Sequence, residues 1–114
     1  MPRTGPIERL RRICLALPEA VERETWESPT FRVRDKIFAM VSHEEIAVTC
    51  KAPLGAQDAL VREDPERFFV PRYVGHNGWV GVRLDGKVDW DEVGGLIEDS
   101  YRMTAPKRLL KLLG

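Results

Sequence analysis

The chain has 114 residues, of which 43% are hydrophobic, so it has room for a single domain over residues 1–114 with one hydrophobic core. Its 18 basic and 18 acidic residues give a formal net charge of zero, which excludes a general attraction to polyanions or membranes. Any charged partner must therefore be recognised by a local patch of the surface.

Two cysteines, Cys14 and Cys50, lack the spacing of a CxxC motif or a zinc site, and no apolar segment approaches the roughly 20 residues of a membrane span. The first residues, MPRTGPIERLRR, contain no hydrophobic region of the kind found in signal peptides. We therefore expect a cytoplasmic protein with no membrane partner and with two reduced, buried thiols.

The first predicted element is a helix that Thr4 caps and that carries Pro6 in its first turn. Its apolar face consists of Ile7, Leu10, Cys14 and Leu17, and Pro18 should follow its end. Residues 20–26 then alternate Val21, Arg23 and Thr25 with Glu22, Glu24 and Trp26. This pattern predicts an exposed edge strand, which the Ser28-Pro29 pair should end.

Two-residue alternation over residues 26–53 predicts three consecutive antiparallel strands. Arg34-Asp35 and residues 42–45 are polar breaks that suit tight hairpins. In the second of these strands, strict alternation places Phe38 and Met40 on the face opposite to Ile37, Ala39 and Val41. The inward residues of the flanking strands should be Phe31 and Val33, and then Ile46, Val48 and Cys50.

A second helix is predicted over residues 54–63. An irregular strand with Phe68, Phe69, Val70 and Tyr73 should follow, and because Pro71 interrupts it, an edge strand or a bulge is favoured over a central position. Asn77-Gly78 is a hairpin signal, and residues 79–84 alternate as a strand. Within that strand Gly81 leaves room for another side chain or backbone to approach.

A long helix should begin at Asp89, because Glu92 follows three residues later as in a capping box. Its buried stripe is predicted to be Trp90, Val93, Ile97 and Tyr101, and a short last helix should begin near Thr104. The order of elements predicts an α+β fold, namely a single antiparallel sheet with helices packed mainly on one face.

Four segments together resemble the MmcQ/YjbR family of small bacterial proteins: W..PTFRV..KIFAM, K.P, GWV.V.LDG and LIEDSYRMTAPK. The resemblance covers residues 7–107, with one departure at Asp35, where the hairpin of such proteins usually has glycine. It implies a CyaY/frataxin-like α/β sandwich and a proposed role in DNA binding through a double-wing arrangement.

The sequence offers a set of cations and aromatics for that role, since basic side chains can hold phosphates while aromatic rings stack on bases. An acidic segment argues against it, because residues 85–99 contain six acidic residues and one lysine. The alternative is a peptide or small-ligand domain with an apolar groove near Trp79. The candidate nucleic-acid-binding residues are Arg32, Arg34, Lys36, Lys51, Arg72, Arg83, Tyr73, His76 and Trp79.

Catalysis is not expected, because no nucleophile with a base, no carboxylate pair and no phosphate-binding glycine loop has usable spacing. Ser100-Tyr101 is interpreted as structural, with a buried ring whose hydroxyl is hydrogen-bonded. His43 and His76 share no metal-binding pattern, so we expect no metal and no cofactor.

Overall fold

The computed structural model of the chain describes residues 5–25, 28–42, 46–72 and 74–113. The strands span Val21–Thr25 (β1), Ser28–Val33 (β2), Lys36–Val41 (β3), Ala47–Cys50 (β4), Phe68–Phe69 (β5) and Val80–Arg83 (β6). The helices span Pro6–Leu15 (α1), Ala56–Glu63 (α2), Trp90–Thr104 (α3) and Lys107–Leu110 (α4), with 3₁₀ turns at Gly75–Asn77 and Lys111–Leu113. The six strands form one antiparallel sheet in the order β1-β2-β3-β4-β6-β5.

The core lies between the sheet and the helices. Leu10 and Cys14 of α1 and Ile97 and Tyr101 of α3 are fully buried in one cluster with the inward side chains of the strands. The two predicted helical stripes therefore pack on the same side of the sheet, and α2 and α4 add further side chains to the same cluster. The predicted α+β architecture is confirmed, as is the order of its elements.

The predicted N-cap is confirmed for α3, whereas α1 begins after a different residue from the one predicted. The side chain of Asp89 accepts a hydrogen bond of 3.1 Å from the backbone N–H of Glu92, as predicted for the start of α3. At α1 the N-cap residue is Gly5, which has no side chain to cap the helix. The predicted cap, Thr4, lies outside the described residues.

The hairpin between β2 and β3 turns at Arg34 and Asp35, whose φ values are both positive, at 52° and 68°. Two consecutive positive φ values are typical of a type I′ turn, which matches the twist of a hairpin. The register shifts between Phe31 and Arg32, so Phe38 is an extra residue in β3. Phe38 and Ala39 are consequently both fully buried, and the predicted strict alternation in this strand is wrong.

Several predicted boundaries are also wrong. Ser28 and Pro29 lie within β2 rather than ending a strand, and Ile46 precedes β4 and is 46% exposed. Leu54 precedes α2 and is fully exposed. Asn77-Gly78 ends a 3₁₀ turn instead of forming a two-residue hairpin, although Gly78 has the positive φ that the turn signal implies.

The edges of the sheet are β1 and β5, as predicted for both segments. Phe69 of β5 is paired with Gly81 of β6, and a Cβ atom at Gly81 would lie 2.3 Å from the ring of Phe69. The absence of a side chain at Gly81 therefore lets this ring lie directly on the strand, which confirms the predicted close approach.

Candidate nucleic-acid interface

The antiparallel register brings most of the predicted site to one end of the sheet. At this end β2 turns into β3 at Arg34, β4 ends before Lys51, and the segment from β5 to β6 passes through His76 to Trp79. We call this region the basic end, and its members are Arg34, Lys36, Lys51, Arg72, His76 and Trp79. Strand pairing alone thus brings together residues that lie up to 45 positions apart in the sequence.

Lys51 and Trp79 share one face of the sheet. Cys50 and Val80 are paired and buried against the helices, and because side chains alternate along a strand, the adjoining Lys51 and Trp79 lie on the opposite face. The ammonium group of Lys51 is 6.0 Å from the centroid of the Trp79 ring. We call this face the open face, and one row of it runs across all six strands through Arg23, Thr30, Met40, Thr49, Gly81 and Phe69.

Two polar side chains fix the backbone on either side of this pair. The amide of Gln57 in α2 donates hydrogen bonds to the carbonyls of Gly75, at 2.7 Å, and Trp79, at 2.6 Å. The hydroxyl of Ser100 accepts a hydrogen bond from the backbone N–H of Lys51. Neither contact was predicted, because Gln57 and Ser100 are distant from the site in sequence and are ordinary helical residues in composition.

Lys36 and Lys51 interact electrostatically. Burial lowers the pKa of Lys51 from its usual value, and the positive charge of Lys36 lowers it further. Neither lysine forms an ion pair with any residue that the structure describes. Lys51 therefore lies beside a partly exposed indole and is affected by the charge of Lys36, and within the described ranges no carboxylate pairs with either lysine.

The two arginines of the same hairpin are in a different state. Arg34 forms an ion pair of 2.7 Å with Glu19, whose pKa it lowers. Arg32 is mostly buried, donates hydrogen bonds to Thr25 and Thr30, and lies 3.7 Å from the carboxylate of Asp35. The sequence showed three cations on one hairpin, but nearby carboxylates offset the charges of two of them.

Arg83 is not at the basic end. It lies at the opposite end of β6, where its guanidinium is 4.8 Å from the ring centroid of Phe69 and donates to the carbonyls of Pro65 and Glu66. The structure therefore does not bring Arg83 together with the cations of the basic end, because the length of β6 lies between them. Arg72 and His76 are exposed at the basic end, and Tyr73 lies outside the described residues.

The acidic start of α3 is far from the basic end. Asp89 and Glu92 line a small cavity with Val82 and Arg83, at the other end of the sheet. Arg67 pairs there with both Glu92 and Asp64. The carboxylates at the start of α3 therefore do not neighbour the two lysines. Asp99 of the same segment lies closer, because it precedes Ser100, which accepts a hydrogen bond from the backbone of Lys51, and because its charge acts on Cys50. The objection to phosphate binding that the sequence raised is thus removed for the start of α3 and stands for Asp99.

Ser100 and Tyr101 are buried structural residues, as interpreted from the sequence. The Tyr101 hydroxyl donates a hydrogen bond of 2.6 Å to the carbonyl of Pro18, and its ring packs edge-on against Phe38. The two cysteines are free and buried, as predicted, and burial raises the pKa of Cys50 to about 12.

The described ranges of the chain contain no cluster of three or more histidine, cysteine or acidic side chains that could hold a metal ion. Within the same ranges, no helix has the length and apolar character needed to cross a membrane.

An open groove of about 370 Å³ lies between the start of α1 and the segment before α3. The guanidinium of Arg9 covers the ring of Trp90 there, 4.9 Å from its centroid. The apolar groove predicted near Trp79 has no such space at Gly81, because the ring of Phe69 occupies it. The groove is lined by Gly5, Pro6, Arg9, Ile46, Leu84, Asp85, Gly86, Val88 and Trp90.

Comparison with known proteins agrees with the resemblance seen in the sequence. The crystal structure of the Deinococcus radiodurans protein DR2400, described as a DUF419 domain, superposes with a TM-score of 0.77 at 22% identity. The match covers 89% of this chain and 81% of that one and shows a shared fold. No curated protein matches the chain. The YjbR family model matches residues 15–103, and the chain belongs to the YjbR family.

Proposed function

We propose that the chain is a non-catalytic binding module that binds nucleic acid, with DNA the leading partner, at the basic end of its sheet. The observation that carries this proposal is the position of Lys51, whose ammonium group lies 6.0 Å from the ring centroid of Trp79 and which, like Lys36, has no carboxylate partner among the described residues. Ammonium groups hold phosphates, and an indole ring offers a surface on which a base can stack.

Charge placement supports a local site on a neutral molecule. The carboxylates at the start of α3 lie at the other end of the sheet, where Arg67 and Arg83 accompany them. Attraction between exposed charges is screened within about 8–10 Å at ordinary salt concentrations, so carboxylates at the far end weaken a phosphate contact very little. A net charge of zero is therefore compatible with weak, salt-sensitive binding at the basic end.

Fewer cations are available than the sequence predicts. Arg32 and Arg34 already face Asp35 and Glu19, so their charges attract phosphate weakly. Counting only Lys36 and Lys51, release of counterions contributes a slope of about −1.4 in log affinity against log salt for a single strand, and about −1.8 for a duplex. We therefore infer modest affinity rather than tight, extended binding.

The non-catalytic part of the proposal rests on the state of the chemically capable side chains. Ser100 is fully buried and bonded on both sides, Tyr101 donates to a backbone carbonyl, and burial keeps the thiols of Cys14 and Cys50 protonated. Each of these groups already has a role in the packed core.

The alternative proposal, a peptide or small-ligand domain, has its own supporting observation in the groove beside Trp90. Its volume of about 370 Å³ is within the range of small-molecule sites, which is roughly 300–1,000 Å³. Binding there would be nearly indifferent to salt, since Arg9 and Asp85 bring opposite charges to its walls.

Fluorescence anisotropy of a labelled oligonucleotide, measured over a series of salt concentrations, tests the leading proposal. The Lys36→Ala/Lys51→Ala variant should reduce the salt slope by about 1.4 for a single strand. The matched control is Lys87→Ala/Lys111→Ala, which removes the same charge elsewhere and should keep the wild-type slope. If wild type binds neither single strand nor duplex at low salt, the nucleic-acid proposal is wrong, and salt-insensitive ligand binding would support the groove.

A further inference from the structure

Two charges of opposite sign line the open groove beside Trp90. The guanidinium of Arg9 comes from α1, and the carboxylate of Asp85 comes from the segment between β6 and α3. In the part of the chain that the structure describes, neither side chain forms an ion pair with the other or with a third residue. The groove therefore presents one cation and one anion from two different elements, and each is available to a ligand.

The ring of Trp90 positions the guanidinium of Arg9. The guanidinium carbon lies over the ring, 4.9 Å from its centroid, in a cation–π contact. A guanidinium over an aromatic face still has N–H donors at its edge, and their planar arrangement matches the two oxygens of a carboxylate. Arg9 is thus held at the groove by its contact with Trp90 and can pair there with a carboxylate.

Much of the remaining lining is apolar. Ile46 is 46% exposed, and Val88 and Trp90 are half-buried in the same groove. Leu84 is buried among the core residues and also contributes to the lining. A ligand whose apolar group covers Ile46 and Trp90 removes hydrocarbon surface from water, which favours binding.

We propose that this groove binds a free α-amino acid with an apolar side chain. The carboxylate of the ligand pairs with Arg9, its ammonium group pairs with Asp85, and its side chain lies against Ile46 and Trp90. A ligand with a carboxylate alone would be repelled by Asp85, and one with an amine alone would be repelled by Arg9, whereas a zwitterion satisfies both charges. The inference rests on the alternative proposal of a small-ligand domain and is independent of nucleic-acid binding.

Titration of the isotope-labelled full chain with L-leucine, L-methionine and L-phenylalanine, followed by amide NMR, tests the inference. The backbone amide of Gly86 and the indole N–H of Trp90 should shift together as the ligand is added. The indole N–H of Trp79 is the internal control and should not shift, because Trp79 lies at the basic end. An absence of shifts with all three amino acids at millimolar concentration, or shifts at Trp79 instead of Trp90, would overturn the proposal.

Two blocked ligands and two variants separate the charged contacts. N-acetyl-L-leucine lacks the ammonium group and L-leucinamide lacks the carboxylate, so each should bind about fivefold more weakly than L-leucine. Arg9→Gln should weaken binding of L-leucine without weakening that of L-leucinamide. Asp85→Asn should weaken binding of L-leucine without weakening that of N-acetyl-L-leucine. Arg12→Gln is the matched control, because it removes the same charge from an exposed position of α1 outside the groove and should keep the wild-type affinity.

The outcomes distinguish this inference from the function on which it rests. If the blocked ligands bind in the groove as tightly as L-leucine, the small-ligand proposal holds and the assignment of an amino acid is wrong. If none of these ligands binds, the inference is wrong and the small-ligand proposal loses its support. The salt titration of an oligonucleotide decides the nucleic-acid proposal separately in either case.

Discussion

The hydroxyl of Ser100 in α3 lies between two strands, accepting a hydrogen bond of 2.9 Å from the backbone N–H of Lys51 and donating one to the carbonyl of Phe38. Lys51 directly follows β4, and Phe38 is the extra residue of the bulge in β3. The hydroxyl thus bridges two backbone groups beside the bulge. It ties the helix to the strand end that carries the Lys51 side chain.

Replacing Ser100 by alanine should destabilise the fold. Two buried backbone groups would lose their partner, and an unsatisfied buried group costs about 1–3 kcal/mol. The expected loss in free energy of unfolding, measured in urea, is therefore about 2 kcal/mol or more. Thr104→Ala is the control. The Thr104 hydroxyl donates only to the Ser100 carbonyl within the same helix, so this substitution should lower the free energy of unfolding by less than Ser100→Ala does. A loss below about 0.5 kcal/mol in Ser100→Ala would contradict the bridging role.

The shared core makes a second prediction. Leu10 and Ile97 are fully buried in one cluster, so Leu10→Ala or Ile97→Ala should each lower the free energy of unfolding by about 2–5 kcal/mol. Leu54 is fully exposed, so Leu54→Ala should change the free energy of unfolding by less than about 0.5 kcal/mol. Equal effects of Leu10→Ala and Leu54→Ala in thermal or urea unfolding would show that the buried faces are misassigned.

Local sequence patterns were sufficient for much of the fold. Asp89 and Glu92 marked the start of α3 because a cap acts over three residues, and the spacing of Val93, Ile97 and Tyr101 is the helical period itself. Phe38 could not be placed in the same way. A bulge depends on the pairing of two strands, and nothing in KIFAMV signals an extra residue.

The position of several candidate residues could be predicted from the order of the hairpins, but the ion pairs of the arginines could not. Strand pairing collected Lys36, Lys51 and Trp79 as expected from hairpin order. Arg34 looked equivalent to Lys36, yet its partner Glu19 is 15 residues away, in the segment between α1 and β1. Ion pairs at such separations follow from tertiary structure, so a count of cations in the sequence overestimates the number free to bind phosphate.

Gly81 gives a third prediction. A Cβ atom there would lie 2.3 Å from the ring of Phe69, so Gly81→Ala must displace the ring and its contact with Arg83. Overpacking of this kind costs about 1–3 kcal/mol. In a Phe69→Ala background the same substitution should cost much less, because the space is then empty. Equal costs of Gly81→Ala in both backgrounds, measured by urea unfolding, would rule out the steric explanation.

The buried thiols predict a loss of stability at alkaline pH. In the unfolded chain Cys14 and Cys50 ionise near their ordinary pKa of 9.0, whereas in the folded chain burial raises the pKa of Cys50 to about 12 and that of Cys14 also upward. Above pH 9 the unfolded state therefore binds fewer protons than the folded state, and stability falls as pH rises.

The size of this effect can be isolated with a variant that lacks both thiols. At one pH unit above the unfolded pKa each thiol contributes a loss of about 1.4 kcal/mol. Between pH 8 and pH 10, Cys14→Ala/Cys50→Ala should therefore lose about 2–3 kcal/mol less than wild type in urea unfolding. If the free energy of unfolding falls equally with pH in the two proteins, the thiols have the same pKa in the folded and unfolded states, and the prediction is wrong.

The last prediction separates stacking from folding at Trp79. Its ring lies on the open face beside Lys51, while Trp90 packs against the core and under Arg9. Under the proposed function Trp79→Ala should weaken binding of a single-stranded oligonucleotide by about 1–3 kcal/mol. Trp90→Ala is the matched control, since it removes the same side chain from the other end of the sheet and should leave the affinity of the folded protein unchanged. Affinity by fluorescence anisotropy and stability by urea unfolding should be measured on both variants. If Trp79→Ala unfolds the chain, or if both variants bind as wild type does, Trp79 is a packing residue and the stacking surface must be abandoned.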